Sequence, residues 1–204
     1  MNIAIIGAGN VGGALATQWY KAGHTVVIGT RDSQSPKVQK VLASTPGISV
    51  AGIQEAIHLS VTVLISTPPA VIFDIIAQMG NVNGKCIIDA TNAVQKKPDP
   101  FPTVYHALVD QTDAEVVKCF NSTGFENMQN PIYQGEGIDM FMAGDSPKAK
   151  ETAAQLAIDA GFGSCWDFGG GDRVTLLEQF ALSWINLAIL QGHGRNLAFK
   201  VIKR

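Results

Sequence analysis

Short apolar runs, each closed by glycine, proline or a small polar residue, recur along most of this chain. The first, Asn2 to Ile6, reads NIAII and runs straight into Gly7. A run with no alternating polar positions predicts a strand buried on both faces. Thr25 to Gly29, Val61 to Ser66, Cys86 to Asp89, Val116 to Phe120, Asp139 to Ala143 and Cys165 to Phe168 have the same character. Between them, apolar residues fall at helical spacing and predict helices over Val11 to Ala22, Ser35 to Ala43, Pro69 to Met79 and Ser146 to Asp159. The ends carry matching signals. Gly23 and Gly161 stand just past two of these helices, and Pro36 and Pro147 at the first position of two others. A final helical pattern from Arg173 to Gln191 puts Leu177, Phe180, Ala181, Trp184 and Ala188 on one side, and Gly192 and Gly194 close it.

Strands alternating with helices predict an α/β fold with a mostly parallel, doubly wound sheet covered on both faces. We expect one dinucleotide-binding domain over residues 1–168 and a C-terminal helical extension over 169–204 that packs on it and on the substrate side. Composition agrees. The 204 residues are 46% hydrophobic and 16% charged, enough to bury a sizeable core. The formal charge of −2, without a basic block, argues against a nucleic-acid partner. Cys86, Cys119 and Cys165 are far apart, and His24, His58, His106 and His193 lack ligand spacing, so no metal is expected. No apolar run reaches the roughly 18 residues of a membrane span. Ala14-Leu15-Ala16 imitates a signal cleavage site, but no basic residue precedes Lys21, and Gly7, Gly9 and Asn10 interrupt the apolar stretch. The expectation is a cytoplasmic protein.

Glycine is the compositional outlier, 21 of 204 residues. Its sharpest use is Gly7-Ala8-Gly9-Asn10-Val11-Gly12, a G-x-G-x-x-G motif between a predicted strand and a predicted helix. In that context the motif reads as the pyrophosphate turn of a Rossmann fold. Gly7 allows the turn, Gly9 lets a phosphate approach the backbone, and Gly12 lets the helix pack against the strand. The second strand then ends in Thr30 and Arg31, where an NAD site would carry a carboxylate. A guanidinium and nearby hydroxyls, Thr30 and Ser33, suit a 2′-phosphate, so NADP is the expected cofactor. Asp32 leaves an alternative open, since it could bond a ribose or orient Arg31.

Three further loops fall at the same sheet edge, where ligands of such folds bind. Thr67 and Pro68 follow the strand that ends at Ser66, and Asn92 and Ala93 follow Asp89. Asn121, Thr123 and Gly124 follow Phe120 and are candidates for a substrate wall. Each loop also has a plain reading as turn chemistry. No acid–base pair stands out; Tyr105, His106 and His193 are the residues that could supply a proton. Gly169 to Gly171 reads either as a loop bordering the site or as a connector.

Taken together, these residues resemble the NADP-dependent coenzyme F420 reductases and their bacterial relatives. The resemblance is carried by the glycine turn, Gly29-Thr30-Arg31, Asp89-Ala90-Thr91-Asn92, Lys118-Cys119-Phe120-Asn121 and Glu126-Asn127-Met128. Met142-Ala143-Gly144-Asp145 and the tail Gly192-His193-Gly194-Arg195-Asn196-Leu197-Ala198-Phe199 extend it. It implies NADPH on the glycine turn, Thr30 and Arg31 at the 2′-phosphate, and Thr67, Pro68 and Asn92 near the nicotinamide. A flavin or deazaflavin (F420-type) partner would stack over that ring. The chain departs from the pattern at Ala93, where proline is usual, and at Pro68-Pro69, both on the substrate side. Two readings follow: an oxidoreductase passing a hydride to such an acceptor, or an NADP(H)-binding sensor without turnover. The excess apolar surface of the last helix, including Leu187 and Leu190, suits a homodimer.

Overall fold

The computed structural model describes residues 1–94 and 96–204. Its strands are β1 (Asn2–Ile6), β2 (Thr25–Gly29), β3 (Ser49–Ala51), β4 (Thr62–Ile65), β5 (Cys86–Asp89), β6 (Glu115–Cys119), β7 (Ile132–Tyr133), β8 (Glu136–Gly137), β9 (Asp139–Ala143) and β10 (Ser164–Asp167). The helices are α1 (Asn10–Lys21), α2 (Pro36–Ser44), α3 (Ile53–His58), α4 (Ile72–Ile76), α5 (Val104–Gln111), α6 (Phe125–Gln129), α7 (Pro147–Asp159) and α8 (Val174–Ile185). A single π-helical turn, Asn186–Leu190, continues α8.

Eight strands form one sheet in the order β10-β9-β6-β5-β4-β1-β2-β3, and β7 and β8 form a separate hairpin. β1 to β6 pair in parallel, while β9 runs antiparallel to β6 with Lys118 opposite Ala143 and Cys119 opposite Met142. The sheet is therefore mostly parallel, as expected. The winding direction changes at β1, which has β2 on one side and β4 on the other.

Alternation along each strand feeds two cores. Ile3, Ile5, Val26, Ile28 and Val117 face α1, α2 and α7, with Leu15, Trp19 and Leu156 completing that layer. Ala4, Ile6, Val27, Ile87 and Val116 face α3, α4, α5 and α8, with Ile57, Ile72, Leu108, Val174 and Leu177. Trp19 is fully buried, donates its indole N–H to the Leu156 carbonyl at 2.8 Å and meets Phe120 edge-to-face at 5.5 Å. Burial of a side chain this large is among the biggest apolar contributions a core can hold. Cys86 and Cys119 are buried there too; burial pushes the Cys86 thiol up to about 12 and that of Cys119 well above the ordinary thiol range. No helix among the described residues is long and apolar enough to cross a membrane.

Several expected elements shift. The helix expected from Pro69 begins as a 3-10 turn, Pro69–Val71, and its α portion ends at Ile76. The strand expected to include Phe120 stops at Cys119, because Phe120 turns to a left-handed φ of 62°. Elements absent from the sequence expectation are β3, α5, α6 and the β7–β8 hairpin. The short α5 is started by Thr103, whose Oγ1 accepts the His106 N–H.

Candidate dinucleotide-binding site

The glycine turn sits where β1 hands over to α1, at the crevice between β1 and β4. Gly7 has φ 110°, and a methyl group on it would lie 2.7 Å from the Ser66 carbonyl oxygen. A methyl on Gly12 would lie 1.9 Å from the Gly7 carbonyl oxygen, so helix and turn touch without room for any side chain. Nothing lies within 4 Å of the direction a Gly9 side chain would take. Ser66 locks β4 to the turn: its Oγ donates to the Gly7 carbonyl at 2.8 Å. The first helical hydrogen bond, from Gly13 N–H to Gly9 O at 2.8 Å, leaves the preceding N–H groups of Asn10, Val11 and Gly12 without helical partners. No acidic residue occupies the first turn of α1 to offset its positive end. Ala8 and Val11 flank this end, half-buried.

A cleft of 140 Å³ opens beside the turn. Gly7, Thr30, Arg31 and Thr67 all line it, so three loops predicted separately meet in one place. Thr30 and Asp32 settle into their own bend: Thr30 Oγ1 accepts the Asp32 N–H at 3.1 Å, and Asp32 Oδ1 accepts the Gln34 N–H at 2.9 Å. Asp32 is thus held in its own bend, and Arg31 is exposed on the rim with Ser33. A larger cavity, 280 Å³, follows the outer side of α1 from Gly9 and Asn10 to Lys21. It runs away from the strand ends, so only its mouth adjoins the turn.

The other loops are tied to one another. Asn92 Nδ2 donates to the Asn121 carbonyl and Asn121 Nδ2 donates to Asn92 Oδ1, both at 2.9 Å. The left-handed Phe120, a strained conformation for an aromatic residue, is what turns Asn121 toward β5. Thr123 Oγ1 accepts from Asn127 Nδ2 at 2.6 Å. Gly124 lies under Trp184, where a methyl group would come within 2.5 Å of the indole. Pro68 is exposed at the start of its loop. Among the buried polar atoms at this edge, Thr67 Oγ1, Thr91 Oγ1 and Asn121 Oδ1 have no protein partner. Unpaired buried polar atoms are costly and call for a ligand or water. With the open face of Gly9 and the free N–H groups of α1, they fit a dinucleotide along this edge.

Beneath these loops lies a cluster of charges that the motifs alone do not mark as a site. Register pairs Asp89 with Lys118, and strand alternation turns both toward the face covered by α8. Lys118 Nζ donates to Asp89 Oδ2 at 3.0 Å and to Glu178 Oε1. Glu178 Oε2 accepts the Ala93 N–H, and Asp89 Oδ1 the Thr91 N–H, both at 2.9 Å. Lys118 and Asp89 are 0% exposed and Glu178 7%. A signal is present in the chain: Lys118 sits in the apolar strand VVKCF, and Glu178 is the one charge in Val174–Leu190. Lone charges inside apolar elements must find partners.

The candidate proton donors are engaged elsewhere. Tyr105 is buried, its OH is shared with Asp145 (3.3 Å to Oδ2, 3.1 Å from the Asp145 N–H), and burial pushes its pKa up to about 12. His106 Nδ1 lies 2.7 Å from Thr103 Oγ1, and burial lowers its pKa, which disfavours imidazolium at neutral pH. His193 is exposed beyond the π-turn. Gly169 to Gly171 is a packed reversal: Gly169 O accepts the Gly144 N–H, and Gly171 N–H donates to Asp145 Oδ1.

Comparison with known proteins shows what this chain is similar to. Residues 2–93 match the profile of a family described as NADP oxidoreductase, coenzyme F420-dependent. Sheet and glycine turn have the Rossmann arrangement, and over residues 2–93 the chain is similar to NADP-dependent oxidoreductases. Within that class the chain resembles the F420-dependent NADP reductases along its whole length. The reductase of Methanothermobacter thermautotrophicus is 28% identical over 221 aligned positions, which cover 98% of this chain and 94% of that protein. A structure from Arthrobacter sp. FB24, described as a candidate F420-dependent NADP reductase, superposes with TM-score 0.86 at 25% identity over 100% of both chains. An imine reductase from Streptomyces aurantiacus shares the fold alone, at TM-score 0.68 and 15% identity over 94% of this chain and 64% of that one.

The contact between Gly12 and Gly7 makes one direct prediction. Gly12→Ala must push α1 off β1, and we expect dinucleotide affinity to fall at least about tenfold, roughly 1.4 kcal/mol, as read by intrinsic fluorescence titration. Unchanged affinity in the folded variant would show that the turn is not the binding element.

Proposed function

We propose that the chain passes a hydride between NADP(H) and a planar redox acceptor of the deazaflavin (F420-type) or flavin class. The carrying observation is the 140 Å³ cleft where Gly7, Thr30, Arg31 and Thr67 converge. In this reading residues 1–168 hold the dinucleotide and 169–204 close the substrate side. The free N–H groups of α1 bind the pyrophosphate, with Gly7, Ala8, Gly9, Asn10, Val11 and Gly12 as its cradle. Thr30, Arg31 and Ser33 hold the 2′-phosphate, and Thr67, Pro68 and Asn92 flank the nicotinamide. Ala93, Asn121, Thr123 and Gly124 form the wall facing the acceptor.

Bound NADPH supplies the hydride; the protein orients two rings and keeps water from between them. Hydride transfer between stacked rings requires no side-chain acid. That suits a site whose Tyr105 hydroxyl and His106 Nδ1 are already engaged by Asp145 and Thr103. A homodimer with its seam along the end of α8 belongs to the same reading, since Leu182, Ile189 and Leu190 are exposed there at 39%, 49% and 72%. Light scattering at the monomer mass would remove it.

Anaerobic stopped-flow absorbance at 340 nm, mixing the protein and NADPH with F420 or with FMN, tests the activity. Rapid loss of the NADPH band with F420 is expected. Tight NADPH binding with no oxidation by either acceptor would favour the sensor. Arg31→Ala should weaken NADPH about thirtyfold, roughly 2 kcal/mol for a lost charge-assisted bond to phosphate, and leave NADH within about threefold. Equal losses for both cofactors would remove the 2′-phosphate assignment.

A further inference from the structure

Resting on the function proposed above, we propose that Lys118, Asp89 and Glu178 form a positioning cluster with an electrostatic role, in which its net negative charge favours the oxidised, cationic nicotinamide over the neutral, reduced ring. One ammonium and two carboxylates leave one negative charge, and all three groups are almost wholly shut off from water. Charges in such surroundings act over longer distances than charges in water. The cluster is joined to the site by two short links. Glu178 holds the Ala93 N–H and Asp89 the Thr91 N–H, one on each side of Asn92.

The surrounding groups do not cancel the charge. His106 lies nearby, and its lowered pKa keeps it neutral at neutral pH. Asp145 adds a further carboxylate, held by the Gly171 N–H and Tyr105 OH. A buried ion cluster is a weak device for fold stability compared with apolar packing. Its place directly under the loop that flanks the nicotinamide gives it a different use.

The charge change in the reaction is definite. A C–H bond of the dihydronicotinamide breaks, its electron pair leaves with the hydrogen as hydride, and a new bond to that hydrogen forms on the acceptor ring. The acceptor is reduced by two electrons: a π bond of its ring opens, a ring nitrogen takes the negative charge and is then protonated from water, and the nicotinamide is left with one positive charge. A fixed negative charge beside that loop stabilises the developing cation and disfavours the return step. The three side chains act through the loop and the field; none is a catalytic residue.

The test is the ratio of two affinities, measured separately for NADPH and NADP⁺ by fluorescence titration without acceptor. Glu178→Gln and Asp89→Asn each remove one negative charge from a different arm of the cluster. Each should weaken NADP⁺ about tenfold relative to NADPH, equivalent to about 1.4 kcal/mol or about 30 mV in the bound couple. Glu178→Asp, which keeps the charge, should leave the ratio where it was. An unmoved ratio, or equal weakening of both forms, overturns the proposal and leaves a purely structural cluster. Should both neutral variants fail to fold, the unaltered protein still decides: NADP⁺ binding tighter than NADPH supports the proposal, and NADPH binding equally tight or tighter overturns it. Failure of the unaltered protein to bind either form overturns the proposal together with the reading it rests on, a result distinct from binding with an unmoved ratio.

Discussion

The close approach of Gly12 to the Gly7 carbonyl governs the β1–α1 end of this molecule. A side chain at position 12 would begin 1.9 Å from that oxygen, so none of any size fits. The contact brings α1 down onto β1 and aims its first N–H groups over the end of the sheet. Ser66 then fastens the end of β4 to the same turn. Because the winding reverses between β1 and β4, a crevice forms there. The strand order makes the crevice, and the steric fit at Gly12 sets the turn at its mouth.

The loops after β5 and β6 depend on a different kind of contact. They are joined by polar pairs that the strand register makes possible. Asp89 sits opposite Lys118, and each strand is buried on both faces, so both charges must be met from within the protein. Glu178 meets Lys118 from α8, and its other oxygen fixes Ala93. The C-terminal helix is thereby coupled to the loop carrying Asn92.

Much of this was legible in the chain, and the reasons for the rest are physical. β1, β2, β5 and β9 fell where their apolar runs lie, since a strand buried on both faces has no other composition. The glycine turn was legible because its steric demand admits one residue type. The antiparallel direction of β9 was not, because a run such as DMFMA is equally apolar in either direction. The helix α5 was missed because eight residues starting at Val104 show barely two turns of periodicity, and its true start is the Thr103 cap. Asn121 was visible as a polar residue after an apolar strand; its pairing with Asn92 was not, since that follows from the left-handed Phe120. Lys118 and Glu178 are lone charges in apolar elements, a signal the sequence reading did not take up, and their meeting across 60 residues needed the fold.

The reciprocal bonds between Asn92 and Asn121 bear on how this site can change over time. Replacing either asparagine strips a partner from the other loop, so neither wall of the proposed acceptor space can be remodelled alone. New acceptor preferences would more readily arise outside that pair, at Pro68 or Val94, which are exposed and carry no such obligation. Relatives that share this scaffold and serve different substrates are expected to keep the two amides together and to vary around them.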